Sequence, residues 1–469
     1  MKWDHIVKNG TIVTGDTMYK ADVYIKDGKI GAVTTDDLGD ADVVTDAEGK
    51  YVLPGFIDSH VHSRDGSKGA HYKEDFAHSS MSGACSGITT IYEMPNCNPA
   101  ITSVEMLNDL IETITPKAYT DFCAWGLCIG DANDAELPKL AEAGVVGFKF
   151  FWGYAISKEY QLIYNYDESM KDVIPPLDSG QIYQMFRTVA KTGKMVAIHA
   201  EDFGVIKRLT DEVQATGAAD YAAMLKARPD YSELITIETA IRLSKILGTH
   251  LHILHLAAGD GVDLIRKARQ EGLNVSGETC PHYLMLTDKE AGKLGSVVKG
   301  YPPIRTQYDQ DKLWAGIKDG TLCQVASDHA PHTPEEKKGD VWHAPAGAAT
   351  IETMPLVLID AVNKGRITLN ELVKLLSENP AKMYGTYPLK GSVLAGTDAD
   401  LVIVDMDKEY TFHQDEMHSR TKQSGYDGWK LKGAPVQTIL RGVTVAKDRE
   451  IIGEPMGHFV KALDNGVLC

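Results

Sequence analysis

The chain lacks the features of a membrane or secreted protein. It has no apolar run of the roughly 18 residues that suggest a membrane span, and its first ten residues, MKWDHIVKNG, contain no apolar signal-peptide core. Its seven cysteines form no CxxC pair and are too sparse in 469 residues for a disulfide framework. We therefore expect a cytoplasmic protein with reduced cysteines and no membrane partner.

Basic residues are also in short supply. Lysine and arginine together number 48 against 65 aspartates and glutamates, which gives a formal net charge of −17. Nucleic acids and anionic membranes select basic patches. This balance therefore argues against both as partners and favours a small molecule.

Short β-rich runs separated by turns occupy both ends of the chain. They include HIVKNGTIVTG and DVYIKDGKIGAV near the start, and TDADLVIVDMD and PVQTILRGVTVAKDREII near the end. The first group has the pattern of a small antiparallel sheet. We expect residues 1–52 and 386–469 to build one small β-sandwich satellite domain from both chain termini.

The middle of the chain, residues 53–385, alternates apolar strands with amphipathic segments. Its eight candidate strands are LPGFIDSH, ITTIYEM, TDFCAWGLC, VVGFKFF, MVAIHA, LHILHL, LNVSGET and CQVASDH. Each strand except the last precedes a plausible helix and then the next strand, which is typical of α/β folds. The pattern predicts a (β/α)8 TIM barrel.

Polar residues collect where the candidate strands end, which is the active-site face of such a barrel. They are His60, His62, His199, His255 and Asp328. Because side chains alternate along a strand, His60 and His62 point the same way. A single histidine at a strand end is more often a hydrogen-bonded structural residue, but three such strands and an aspartate indicate a metal site.

Lys149 lies within the apolar strand VVGFKFF. A structural interpretation is a lysine that reaches the rim with its ammonium. An ammonium buried beside divalent cations would be both desolvated and repelled. The functional interpretation is that carbon dioxide carbamylates the amine, which creates an anionic carboxylate able to bridge two metals.

A series of motifs stands in the order found in one known family. They are GFIDSHVH, GFKFF, VAIHAED, LHILHLA, GETCPHYLMLT, PPIR, SDHAPHTPEEK, NPAKMYG and GTDADLVIVD. Over nearly its whole length the chain resembles the cyclic amidohydrolases of the amidohydrolase superfamily: hydantoinase, dihydropyrimidinase, allantoinase and dihydroorotase. The resemblance implies hydrolysis of a small cyclic amide by a homo-oligomer, a tetramer or a dimer.

The resemblance also implies a binuclear site, usually zinc, with a carbamylated Lys149. His60, His62, Lys149 and Asp328 would bind one metal, and Lys149, His199 and His255 the other. Asp328 would act as the catalytic proton acceptor and donor. Tyr154, five residues after Lys149, matches the tyrosine with which hydantoinases stabilise the oxyanion and hold substrate.

Substrate signals are mixed. Arg64, Asn96 and His332 match the positions with which dihydroorotases hold a substrate carboxylate, a chemistry that suits a guanidinium fork; Arg64 could equally form a rim salt bridge. The proline and glycine that follow this arginine in dihydroorotases are replaced here. Hydantoinases are not matched fully either, because Tyr301 and Ala346 replace their serine and asparagine.

The segment WGYAISKEYQLIYNYDESMKDVIPP after strand four is rich in aromatic residues, namely Trp152, Tyr154, Tyr160, Tyr164 and Tyr166. Such a loop at a barrel mouth can act as a lid and contact a ring substituent. It favours a hydantoinase, dihydropyrimidinase or allantoinase-like binuclear-zinc hydrolase that opens a cyclic amide or ureide. The alternatives are a dihydroorotase-like hydrolase of a carboxylate-bearing ring and a catalytically silent scaffold homologue.

Overall fold

The computed structural model describes residues 2–163, 166–462 and 466–467, and it has an α/β fold. Tyr164 and Cys469 lie outside the described residues. Its strands are β1 Trp3–Lys8, β2 Thr11–Val13, β3 Met18–Lys20, β4 Asp22–Lys26, β5 Lys29–Thr34, β6 Ala41–Asp46, β7 Tyr51–Pro54, β8 Phe56–Val61, β9 Ile88–Glu93, β10 Asp121–Ala124, β11 Gly126–Leu127, β12 Phe148–Phe151, β13 Ala155–Ser157, β14 Leu162–Ile163, β15 Val173–Ile174, β16 Val196–His199, β17 Leu251–Ile253, β18 Val275–Thr279, β19 Gln324–Val325, β20 Leu401–Thr411, β21 Lys430–Leu440, β22 Val443–Lys447 and β23 Glu450–Ile451.

The helices separate successive central strands. They are α1 Phe76–Cys85, α2 Val104–Ile114, α3 Leu137–Ala143, α4 Ser179–Thr192, α5 Phe203–Gln214, α6 Tyr221–Ala227, α7 Asp230–Leu247, α8 Asp260–Gln270, α9 Pro281–Met285, α10 Asp288–Leu294, α11 Gln307–Lys318, α12 Thr353–Asn363, α13 Leu369–Val373 and α14 Asn379–Met383. Among the residues that the structure describes, no helix is long and apolar enough to cross a membrane.

The central strands are parallel and follow chain order. One sheet has the order β10-β9-β8 and the other β11-β12-β16-β17-β18-β19. Trp125 interrupts the predicted third strand and separates β10 from β11. After β19, a parallel bridge joins His329 to Val61 at the end of β8. The last strand segment therefore returns to the first.

Two further sheets contain the chain ends. One has the order β5-β4-β1-β6, and the other, β23-β22-β21-β20-β7-β2-β3, pairs strands from both ends of the chain. The expected small antiparallel sheet is wrong in detail, because β1 pairs with β6 and β2 with β7 in parallel. The predicted strand LPGFIDSH is in fact two strands, since β7 joins the terminal sheet and β8 the central one.

The cysteines agree with expectation at all but one described position. Cys323 is disulfide-bonded, so the expectation of a reduced thiol is wrong there. The free cysteines are all buried: Cys85, Cys97, Cys123, Cys128 and Cys280.

A buried ion cluster ties the terminal sheet to the central strands. The Lys390 ammonium lies 2.5 Å from Asp121, 2.9 Å from Asp398 and 2.6 Å from Asp400. Burial alone would lower the pKa of Lys390, but the charges of Asp400 and Asp121 outweigh it and raise that pKa. Arg441 forms a second ion pair with Asp121 at the start of β10.

We expect Lys390→Met to destabilise the protein strongly, because it leaves buried carboxylates without a counter-charge. The free energy of unfolding should fall by about 3–5 kcal/mol, measured by urea titration. Lys245→Met removes an exposed pair with Glu271 and should cost no more than about 1 kcal/mol. Equal losses in the two variants would contradict a stabilising role for the cluster.

Candidate metal centre and substrate pocket

The six predicted metal ligands line one pocket of about 60 Å³ at the carboxyl ends of the central strands. They are His60, His62, Lys149, His199, His255 and Asp328. The pocket forms because parallel strands end at one edge and each contributes a polar side chain there.

His60 and His62 each have one ring nitrogen fixed by a hydrogen bond. The Nδ1 atom of His60 lies 2.7 Å from Glu278 Oε1, and the Nδ1 atom of His62 lies 2.6 Å from Asn96 Oδ1. Since these oxygens accept, each Nδ1 carries the proton and each Nε2 keeps a free lone pair. This is the outer hydrogen bonding that orients histidine ligands in metal sites.

His199 and His255 point ring nitrogens at each other. His199 Nδ1 lies 3.0 Å from His255 Nε2, while His199 Nε2 lies 2.9 Å from Glu201 Oε2. The carboxylate again fixes the proton on the outer nitrogen and leaves His199 Nδ1 as the inward atom. Two imidazole nitrogens thus converge on one point.

Asp328 lies beside His60 and His62. Its Oδ1 atom lies 3.3 Å from His60 Nε2 and 3.5 Å from His62 Nε2. The buried His60 Nε2 has no hydrogen-bond partner among the described residues. A buried polar atom without a partner is costly unless something else binds it. The donor set of imidazoles and a carboxylate therefore fits a divalent cation such as zinc.

Two of these residues have unusual backbone conformations. His255 has a φ of 38° and Asp328 a φ of 49°. Positive φ is uncommon outside glycine, and such strain concentrates at functional sites. The strain here occurs at residues whose side chains enter the pocket.

Burial disfavours the charged forms of His62 and Lys149. It lowers the pKa of His62 to about 3 and that of Lys149 to about 8. Lys149 is only 1% exposed, and its ammonium nitrogen lies 4.6 Å from the centre of the Phe151 ring. Neutral imidazoles are the form that binds metals, and a neutral amine is the nucleophilic form of lysine.

A buried ion pair next to the pocket was not predicted from the sequence. Arg228 lies 2.5 Å from Glu201 Oε2, the oxygen that also contacts His199. Burial alone would raise the pKa of Glu201, but Arg228 and His199 together outweigh it and lower that pKa to about 2. The sequence did not predict the role of Glu278, which fixes His60, either. The feature that could have indicated this role is a carboxylate inside the buried strand β18.

Tyr154 lies between the metal ligands and this ion pair. Its hydroxyl donates to Glu201 Oε2 at 3.4 Å and lies 3.5 Å from Arg228 Nη1. Its ring packs edge-on against His199, with centroids 4.9 Å apart. The side chain also lines the pocket.

The three candidate anion-binding residues differ in their position relative to the pocket. Arg64 and Asn96 line the pocket, but the Asn96 oxygen is engaged by His62. His332 Nδ1 lies 3.2 Å from the Lys73 ammonium and its Nε2 lies 3.0 Å from the Ala346 carbonyl, so its N–H donates to that carbonyl. His332 therefore contacts Arg64 from outside the pocket. Its Nε2 atom lies 3.2 Å from a guanidinium nitrogen of Arg64.

The aromatic residues of the loop after β12 lie in different environments. Tyr160 packs against an apolar cluster that contains Ile156. Trp152 and Tyr166 line a second cavity of about 360 Å³. Tyr164 lies outside the described residues, so its part in the proposed lid stays a prediction.

Comparisons with known proteins identify the family. Residues 51–445 match the model of the amidohydrolase family. The chain is 35% identical to the L-hydantoinase of Paenarthrobacter aurescens over 98% of each chain, and 34% identical to the allantoinase of Bacillus licheniformis over 98% of this chain and 100% of that protein.

Solved structures agree over the same length. The L-hydantoinase (dihydropyrimidinase) from Arthrobacter aurescens superposes with a TM-score of 0.91 at 34% identity, covering 98% of this chain and all of that chain. A D-hydantoinase superposes with a TM-score of 0.90 at 30% identity, covering 99% of this chain and 100% of its own.

Asn96→Leu should weaken metal binding, because it removes the oxygen that fixes His62. We expect the metal dissociation constant to rise about 10–100-fold, measured by competition with a chelator. Asn108→Leu, at an exposed position of α2, is the control. If the metal affinity of Asn96→Leu were unchanged, Asn96 would not be needed to fix His62 for metal binding. Its role would then be limited to contact with the substrate.

Proposed function

Since this chain belongs to the amidohydrolase family, we propose that it opens the ring of a small cyclic amide or ureide at a binuclear metal centre. It is a hydrolase that acts on carbon–nitrogen bonds in cyclic amides. The observation that carries this proposal is the convergence of four imidazoles and Asp328, with the outer nitrogens of His60, His62 and His199 held in place. The presence of all six ligands disfavours a catalytically silent scaffold.

We infer a (β/α)8 barrel with a β-sandwich satellite domain. Parallel pairing in chain order and the bridge between Val61 and His329 support closure of the central strands. The shared seven-stranded sheet supports one satellite built from residues 1–52 and 386–469, with residues 53–385 as the barrel. A cytoplasmic homo-oligomer remains part of the proposal.

His60, His62, Lys149 and Asp328 would hold one divalent ion, expected to be zinc, and Lys149, His199 and His255 the other. When bound, the two ions would supply an ionised water at neutral pH and polarise the ring carbonyl. Lys149 would first become a carbamate: its neutral amine adds to carbon dioxide, a nitrogen–carbon bond forms and a proton leaves.

The protein's own groups then move the protons. Asp328 would accept the proton of the attacking water at a carboxylate oxygen and pass it to the departing ring nitrogen. Tyr154 would turn its hydroxyl proton from Glu201 to the oxyanion that develops on the ring carbonyl. Arg228 and Glu201 orient that hydroxyl.

His332 favours an uncharged ring, as in hydantoinases and allantoinases. Its Nε2–H group donates to the Ala346 carbonyl and is therefore not offered to a substrate carboxylate. A dihydroorotase-like activity is the second candidate. It is supported by Arg64, which lines the pocket and whose Nε atom has no hydrogen-bond partner among the described residues.

The substrate class is tested with zinc-loaded protein offered hydantoin, dihydrouracil, allantoin and dihydroorotate. We expect loss of ring absorbance or formation of the ring-opened product with the uncharged rings. Arg64→Met should leave those rates within a few-fold. Turnover confined to dihydroorotate, and abolished in Arg64→Met, would establish the second candidate instead.

Lys149→Ala should reduce ring opening to background, because no other described residue offers the bridging carboxylate. Added short carboxylic acids should restore part of the activity by filling the vacated space. Lys158→Ala, at an exposed lysine, is the control. A fully active Lys149→Ala protein would contradict the binuclear arrangement.

Activation of metal-free protein by zinc and carbon dioxide should depend on pH. The neutral fraction of Lys149 falls about tenfold per pH unit below its pKa, which burial lowers to about 8. At constant dissolved carbon dioxide, the activation rate should therefore rise with pH and level off above about 8. A pH-independent rate between 6 and 8 would argue against carbamylation.

A further inference from the structure

Four polar side chains on neighbouring central strands are fully buried. They are His252 on β17, Ser276 and Glu278 on β18, and Gln324 on β19, each 0% exposed. The space enclosed by parallel barrel strands is normally packed with branched apolar side chains. Because burying polar groups costs free energy unless they are hydrogen-bonded, this group requires an explanation beyond packing.

Strand pairing places the four side chains next to one another. β18 lies between β17 and β19 in the sheet. Glu278 pairs with Gln324, and Ser276 pairs with His252. Since side chains alternate along a strand, Ser276 and Glu278 point to the same side of β18. We call these four residues the polar network.

One oxygen of Glu278 contacts residues of both proposed ligand sets. Its Oε1 atom lies 2.7 Å from His60 Nδ1 and accepts a hydrogen bond from the His255 backbone N–H at 3.3 Å. His60 belongs to one set and His255 to the other. His255 also has the uncommon φ of 38°, and this hydrogen bond helps to hold its backbone there. Glu278 therefore links the two metal positions.

The other oxygen of Glu278 is held by the rest of the network. Gln324 Nε2 donates to Glu278 Oε2 at 2.7 Å, and His252 Nε2 lies 3.3 Å from the same oxygen. Because that carboxylate oxygen accepts, His252 Nε2 carries the proton. The Ser276 hydroxyl then donates to His252 Nδ1 at 2.8 Å. Rotation of the Glu278 carboxylate would break hydrogen bonds at both of its oxygens.

Gln324 is fixed in turn by Tyr384. The second N–H of the Gln324 amide donates to the Tyr384 hydroxyl at 2.6 Å. The Tyr384 ring packs edge-on against Tyr92 and Trp125, with ring centroids 5.2 Å apart in each case. The amide that holds Glu278 Oε2 is thus anchored to a packed aromatic group.

We infer that Gln324 and His252 are positioning residues of the metal centre. By holding Glu278 Oε2, they aim Oε1 at His60 and at the His255 amide, so that both ligand sets keep their geometry together. They act through Glu278, since the described residues that line the metal pocket include neither of them. The inference rests on the proposed function, because it takes the two histidines to be metal ligands.

The test measures metal affinity without substrate, by competition between the protein and a chelator for zinc. Gln324→Leu and His252→Leu each remove a donor to Glu278, and we expect the zinc dissociation constant to rise about 10–100-fold in each. The visible absorption spectrum of the cobalt(II)-substituted protein should change as well, because it reports ligand geometry. His252→Gln keeps an N–H donor near the position of Nε2 and should restore the affinity to within a few-fold of wild type.

The matched control is Gln437→Leu. Gln437 is also buried, and its amide also donates twice, to the hydroxyls of Thr45 and Thr444 in the terminal sheets. This variant should lose thermal stability but keep the wild-type zinc affinity and cobalt spectrum. If Gln324→Leu does not fold, Tyr384→Phe removes only one oxygen and should raise the dissociation constant about fivefold. Wild-type affinity in Tyr384→Phe would then overturn the role of Gln324.

Wild-type affinity and an unchanged cobalt spectrum in either folded leucine variant would overturn the role of the residue replaced, even if that variant unfolds at a lower temperature. The proposed function would stand in that case. A wild-type protein that binds zinc but opens no cyclic amide would overturn the proposed function alone, because the affinities are measured without substrate.

Discussion

The site depends on hydrogen bonds to the outer faces of buried imidazoles. Glu278, Asn96 and Glu201 decide which nitrogen of His60, His62 and His199 carries the proton. Without these partners the rings could rotate or change tautomer. Their lone pairs would then no longer meet at one place, so the two carboxylates and the amide around the pocket are as necessary as the histidines inside it.

Glu201 extends this control beyond the metal pocket. One of its oxygens contacts His199, Arg228 and Tyr154. Arg228 in turn stacks on Tyr301, which lines the pocket. The orientation of His199 and the positions of Tyr154 and Tyr301 therefore depend on a single buried ion pair.

The sequence predicts those parts of the site that follow from local rules. Alternation along β8 places His60 and His62 on one side, and parallel strands bring their ends together. It does not reveal Arg228, because its partner Glu201 is 27 residues away and no motif surrounds Arg228 itself. The division between β7 and β8 was also missed, since an unbroken apolar run looks like one strand.

The seven-stranded sheet has a consequence for how the chain acquires its structure. Leu401 of β20 pairs with Pro54 of β7, so the early strands lack this neighbour until the ribosome has made most of the protein. Contacts so distant in sequence form slowly, and unpaired strand edges associate readily with other chains. The edge of β7 that pairs with β20 therefore stays unpaired during synthesis for longer than edges whose neighbours lie close in sequence.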